Sequence, residues 1–363
     1  MDIGQPPKRF GDHHNAFGFL RLLLASLVII SHTADLVDGD RRREILVMLF
    51  GSLSFGELAV DGFFIISGFL ISASFLNSSS ALSYLRKRIA RIYPAFALMS
   101  VICVFVVAPL GGGQPARHPI LSTLANIVIL SPPGARGVFA GSHHADLNGA
   151  AWTLQIEFYC YLLVVILGRS GLLRAPRLIG ALAFGCILLT AILPDAIIPA
   201  AARLPLHSYF LPGDPRDLPR LFGMFLTGTA FYLLREHISL TGRNAILAFC
   251  ALCLSLFFPV LANFGVALFG SYVLFAVAAL GSGTVLAHVN NRDDISYGLY
   301  LYGWPIEKLL ILWRFSDNLF VLAGVTWLLA ALAGAISWFA LEKPVMRWIR
   351  SKPAARATTS VAG

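Results

Sequence analysis

The side chains that could do chemistry begin with Arg21 and His32, which share one apolar stretch from Phe19 to His32. On an α-helix their separation comes to almost three whole turns, so both face the same way, about 16 Å apart along the axis. A charge inside a membrane span is costly and faces a bundle interior or a wet cavity. The pair reads as a cationic anchor at one level and a candidate general base at another. Arg88 and Arg91, spaced i and i+3, put two planar guanidiniums on one helix face, which suits a phosphorylated ligand. Asp61, within Val60-Asp61-Gly62-Phe63-Phe64, is a candidate to accept a ring N–H from His32 and orient it. Glu157 is an acid inside the apolar run from Trp152 to Tyr159, where it must pair with a cation or face the cavity. His32, Asp61 and Glu157 are therefore the candidate catalytic groups, and Arg21, Arg88 and Arg91 the candidate ligand-binding cations.

Other patterns carry less. His143-His144 with Asp146 suggests a metal, but adjacent histidines point apart and no further ligand has a sensible spacing, so no metal is expected. Cys250 and Cys253 form a C-x-x-C inside a hydrophobic helix with no second ligand pair; all five cysteines sit in apolar runs and read as small buried hydrophobes. There is no G-x-S-x-G, no H-E-x-x-H and no P-loop. Gly62, Ser67 and Gly68 would let another helix approach closely.

The elements that must position these groups follow from composition. Of 363 residues, 57% are hydrophobic and 13% charged, with a mean hydropathy of +0.74. That is too little charge to cover a soluble protein of this length. Repeated apolar runs predict an all-α integral membrane protein, a polytopic bundle of about ten transmembrane helices. They lie near 17–37, 57–76, 92–110, 150–168, 177–194, 218–235, 244–261, 264–289, 295–313 and 319–341, with long connections at 111–149 and 195–217. The transmembrane domain is expected over 1–350, followed by a short basic tail, 351–363. The net charge of +9 is assigned to loops that set orientation, not to nucleic acid. Loops with Lys8, Arg9, Arg86, Lys87, Arg88, Arg91 and the basic tail then face the cytoplasm, as do both termini, and the two long connections face outward. Arg41-Arg42-Arg43 falls on the side opposite to the majority. Arg21, Arg88 and Arg91 lie towards the inner mouth, and His32, Asp61 and Glu157 towards the outer half.

These residues, in this order, resemble the membrane acyltransferase 3 family of polytopic enzymes that O-acylate carbohydrates and other cell-envelope acceptors. The likeness runs through Arg21 and His32, the segment Val60 to Leu70, Arg88-Ile89-Ala90-Arg91-Ile92-Tyr93-Pro94 and Trp152 to Tyr159. It continues in Ile295-Ser296-Tyr297-Gly298-Leu299-Tyr300-Leu301 and Leu341-Glu342-Lys343-Pro344. It implies ten core spans in the cell inner membrane, an acyl-CoA donor (acetyl-CoA first) from the cytoplasm, and a glycan acceptor handled outside. No permanently bound cofactor is implied. It also implies essential roles for Arg21, His32 and the Arg88/Arg91 pair. One departure is clear: where the family usually has a histidine before Trp-Pro, this chain has Gly303 in Tyr302-Gly303-Trp304-Pro305. The expected function is O-acetyl transfer to an envelope or secreted glycan. The alternatives are another acyl group such as succinyl, or a solute transporter whose buried charges line a path.

Overall fold

The computed structural model describes residues 15–193, 210 and 213–351. Among them the chain is helical, without strands; one isolated bridge joins Gln114 and Arg136. The elements are α1 (Phe17–Asp38), α2 (Ile45–Phe50), α3 (Phe55–Leu76), α4 (Ala81–Leu110), α5 (Pro119–Ile129) and α6 (Trp152–Arg169). They continue as α7 (Pro176–Ile192), α8 (Asp217–Leu234), α9 (Gly242–Leu256), α10 (Pro259–Leu280), α11 (Ser296–Leu312) and α12 (Leu319–Ile349). Their ends follow from sequence. Ser54 and Glu57 close a capping box on α3, satisfying amide groups that a helix start leaves bare. Gly39 ends α1 with φ +77°, a left-handed turn that suits glycine.

Six of these helices, α1, α3, α4, α6, α10 and α12, are long and apolar enough to cross a membrane. By that measure the expected count of about ten is reduced to six among the described residues. The reasons are local. α9 stops after 15 residues because Phe258 is extended and Pro259 starts a new helix, so the break falls at 257–258 and not at the expected 262–263. α8 carries Asp217 and Arg220, and α11 carries Glu307, Lys308 and Pro305. The basic cluster before the third expected span is not a loop: α4 begins at Ala81, so Arg88 and Arg91 stand on its first turns. All of the tail 351–363 but its first residue, and most of 195–217, lie outside the described residues.

Two contacts hold the site's scaffold. A Cβ at Gly68 of α3 would fall 1.9 Å from the Phe225 carbonyl oxygen of α8, and one at Gly228 of α8 equally close to the Ile65 carbonyl oxygen of α3. Here the small residues bring two backbones together, as in membrane helix pairs. On the other side, α1 and α11 run parallel. Arg21 pairs with Asp294 just before α11, Gly303 faces Ile29, and Thr33 bonds Glu307, so contacts advance together along both helices. Three helices contain a π-turn, at Cys103–Val107, Val266–Gly270 and Trp338–Glu342. The last lies beside the arginine cluster.

Candidate active site

α1, α3, α4, α6 and α11 enclose a narrow cavity of about 150 Å³. Arg21, Arg88, Arg91 and Glu157 line it together, so four of the six candidate groups converge on one space. At its basic end it meets a wider vestibule of about 410 Å³, which shares the three arginines and adds Lys87, Arg292, Lys343 and Arg347. Away from that end the cavity walls become apolar and aromatic, with Val60, Phe63, Phe64 and Tyr300.

The three arginines are not equivalent. Arg91 Nη2 lies 2.5 Å from Asp294 Oδ2 and its Nη1 3.4 Å from Glu342 Oε2. Its guanidinium also stands over the rings of Tyr297 and Trp338. Arg21 Nη2 reaches the same Asp294 oxygen at 3.3 Å. Asp294 thus ties two arginines together, and Asn290 and Ser296 donate to its other oxygen. Burial alone would raise the Asp294 carboxyl; Arg21, Arg91 and these hydrogen bonds outweigh it and hold the group far below the usual carboxylate range. Arg88 has no carboxylate partner among the described residues. Its Nη2 donates to Ser74 Oγ at 3.3 Å, and its Nε is buried without a partner. It lies beside the Tyr84 and Tyr161 rings.

Glu157 meets the cavity as an acid held by neutral groups. Its Oε1 accepts from Ser67 Oγ at 3.2 Å and from Tyr161 Oη at 2.7 Å. Those hydroxyls fix the carboxylate and leave it acceptor capacity for a further hydrogen bond.

His32 sits elsewhere. It does not line the cavity; its ring packs edge-on against Trp304 at 4.8 Å, and its Nδ1 is buried without a hydrogen-bond partner. Trp304 lies one turn of α11, about 6 Å, beyond Tyr300. The expectation that Asp61 orients His32 is corrected. Asp61 is fully buried, and its Oδ1 accepts from Arg220 at 2.7 Å, while Arg220 also reaches Asp217 at 2.8 Å. The carboxylate is spent on an inter-helix ion pair between α3 and α8. The acid on the His32 face of α1 is Asp35, one turn on, which pairs with Arg41 at 3.2 Å and with His144 Nε2 at 3.3 Å. His144 packs against the same Trp304, so the His143-His144 pair lies against α1.

Sequence reasoning missed Asp294, Glu307, Lys308, Tyr300 and Trp304. Glu307 and Lys308 are fully buried; Thr33 Oγ1 donates to Glu307, and Lys308 Nζ donates to Ser142 Oγ at 2.8 Å. The cost of a charge inside an apolar run, which singled out Glu157, was equally available for these two. Gly303 is buried against α1, where a Cβ would lie 3.0 Å from Ile29 Cγ1. A histidine there would push on the helix that carries His32.

Comparison with known proteins identifies the chain's relatives. A family model described as an acyltransferase domain (Acyl_transf_3) matches residues 14–341. An O-acetyl transferase of Shigella phage Sf6 is 27% identical over 310 residues, covering 82% of this chain and 86% of that protein. Nodulation protein 10 of Rhizobium leguminosarum bv. viciae is 28% identical over 375 residues, covering 95% of this chain and 96% of that protein. No solved structure matches.

Proposed function

We propose, from the premise that this chain belongs to that acyltransferase family and is an acyltransferase of groups other than aminoacyl ones, that it moves an acetyl group from acetyl-CoA to a hydroxyl of an envelope or secreted glycan. One observation carries the reading. A basic vestibule narrows into an apolar slot at a cluster of three arginines, which matches a donor with phosphates at one end and a thin thioester-bearing arm at the other. Phosphate oxygens would rest on Arg88 and on the outward edges of Arg91 and Arg21. The pantetheine arm would run past Glu157 towards Tyr300. The acetyl choice is supported by the name of the phage relative.

In this reading His32 takes the proton of the acceptor hydroxyl as its oxygen attacks the thioester carbonyl. The new C–O bond forms, the C–S bond breaks, and the proton passes to the departing CoA sulfur. Trp304 holds the imidazole edge-on between donor and acceptor sides. Glu157 stands at the donor level and hydrogen-bonds the arm or the acceptor. The vestibule faces the cytoplasm, where CoA is found, with both termini on that side of the inner membrane. α7, α8, α9 and α11 complete the crossing count to ten, their charges turned inward to partners such as Asp61 with Arg220 and Glu307 with Thr33.

The test is purified protein in lipid vesicles with isotope-labelled acetyl-CoA and glycan from the host envelope. Label appearing in alkali-labile ester on the glycan is the expected result. Label that crosses the bilayer without forming an ester would instead make the chain a transporter.

A further inference from the structure

The apolar end of the cavity is lined by a firmly held aromatic wall. Tyr300 is almost completely buried. Its hydroxyl donates to the Ala150 carbonyl at 2.7 Å and shares a 2.6 Å hydrogen bond with Thr153 Oγ1. Its ring meets Phe63 edge-on at 6.0 Å. The chain segment it bonds to is itself sewn to α11, because Asn148 Nδ2 donates to the Leu301 carbonyl at 2.8 Å and Asn148 Oδ1 accepts from Ala150 N. Tyr300, Thr153 and Phe63 all line the cavity. Beyond Tyr300, the next turn of α11 presents Trp304, packed on His32.

We propose that Tyr300, with Phe63 and Thr153, is the acyl-length determinant of the enzyme, admitting acetyl-sized groups and rejecting longer chains. The inference rests on the donor reading given above and deepens it. A cavity of about 150 Å³ takes a group about the size of benzene. The end of the pantetheine arm and the thioester consume that space, and a longer acyl chain must run into the Tyr300 ring. That ring cannot swing aside without breaking hydrogen bonds from its hydroxyl, and a buried hydroxyl left unpaired is costly. A methylene too many against a fixed apolar wall costs about tenfold or more in selectivity. The wall therefore distinguishes acetyl from butyryl and hexanoyl more sharply than a flexible apolar pocket would.

The experiment measures binding of acetyl-, butyryl- and hexanoyl-CoA to the full chain in detergent micelles by calorimetry, which needs no knowledge of the acceptor. The parent should bind acetyl-CoA and lose about tenfold or more in affinity by hexanoyl-CoA. Tyr300→Ala should bind hexanoyl-CoA about as tightly as acetyl-CoA. Tyr300→Phe, which keeps the ring but loses the hydroxyl's hydrogen bonds, should discriminate less than the parent and more than Tyr300→Ala. Phe63→Ala opens the same wall from α3 and serves where Tyr300→Ala fails to fold. A parent that binds hexanoyl-CoA as well as acetyl-CoA overturns the inference and leaves the donor reading standing. So does a folded Tyr300→Ala or Phe63→Ala variant that binds acetyl-CoA and still rejects hexanoyl-CoA. A parent that binds none of the three CoA esters overturns the donor reading itself, and this inference with it.

Discussion

Arg88→Lys should raise the KM for acetyl-CoA sharply while leaving the acceptor KM and the yield of folded protein alone. Of the three cavity arginines, Arg88 is the one whose charge is uncompensated: Arg91 is tied to Asp294 and Glu342, and Arg21 to Asp294. A guanidinium held only by Ser74 and two tyrosine rings, with an unpartnered Nε, has donors to offer an incoming phosphate. Lysine keeps the charge, and with it whatever preference the positive charge gives this segment for one side of the membrane. It loses the planar fork and the stacking beside Tyr84 and Tyr161. One charge-assisted hydrogen bond contributes about 1.5–3 kcal/mol, and each 1.4 kcal/mol is about tenfold. Loss of one such bond therefore predicts a donor KM raised by about 10- to 100-fold. The assay is CoA-thiol release during transfer, with acetyl-CoA titrated at fixed acceptor and then the reverse. Arg91→Lys is the control with a different signature, because its main loss is the ion pairing and the tolerance of the fold to heat. An Arg88→Lys enzyme with the parent's donor KM would remove Arg88 from the donor site and leave it as an orientation signal.

His32→Ala should cut kcat by about 10²–10⁴-fold without weakening acetyl-CoA binding, because His32 does not line the donor cavity; single-turnover rates and calorimetric binding on the same sample check both halves. Asp61→Ala should act on the fold: removing one partner of a buried ion pair costs about 3–5 kcal/mol, with the lower end expected because Arg220 keeps Asp217. It should show as a lowered apparent Tm in detergent, with donor KM unchanged in the protein that survives. Asp294→Asn should lower the apparent Tm by the same amount anywhere between pH 5 and 8. The Asp294 carboxyl is held below its unfolded value, so its contribution is fully present above the ordinary carboxylate pKa of about 3.9 and fades only as pH falls through the depressed value. A parent–variant difference that shrank between pH 8 and pH 5 would refute the two-arginine tie.

What the sequence made legible was cost. A charge inside an apolar run needs a reason, and Arg21 and Glu157, chosen on that ground, line one cavity with Arg88 and Arg91, chosen for their spacing. The i, i+3 spacing of Arg88 and Arg91 required a helix, and α4 supplies it. Partner choice was not legible. Asp61 was matched to His32 because both lay near the same depth, but its partner Arg220 lies 159 residues away on α8. Depth along a helix does not say which side of the bundle a side chain faces. The same limit applies to His32: it shares a helix face with Arg21, yet Trp304 from α11 stands against it. Span counting suffered differently. α8 and α11 fall short because α8 carries Asp217 and Arg220 and α11 is 17 residues long with Glu307 and Lys308 in it; that these groups turn inward is a property of the assembled bundle that no single window reveals.

The π-turn at Trp338–Glu342 has a consequence for the chain's history as well as its shape. Such a turn is a helix that has absorbed one extra residue, which shifts everything after it by about 100° around the axis. Here the shift belongs to the stretch that sends Glu342 to Arg91, and both Trp338 and Lys343 to Asp293. A single-residue deletion within it would leave a longer, more regular helix, yet would rotate the terminal basic segment out of phase with the vestibule. Relatives that lack the extra residue would have to anchor the α4 arginines by another route, so indels at this one place should coincide with changes at 293 and 294.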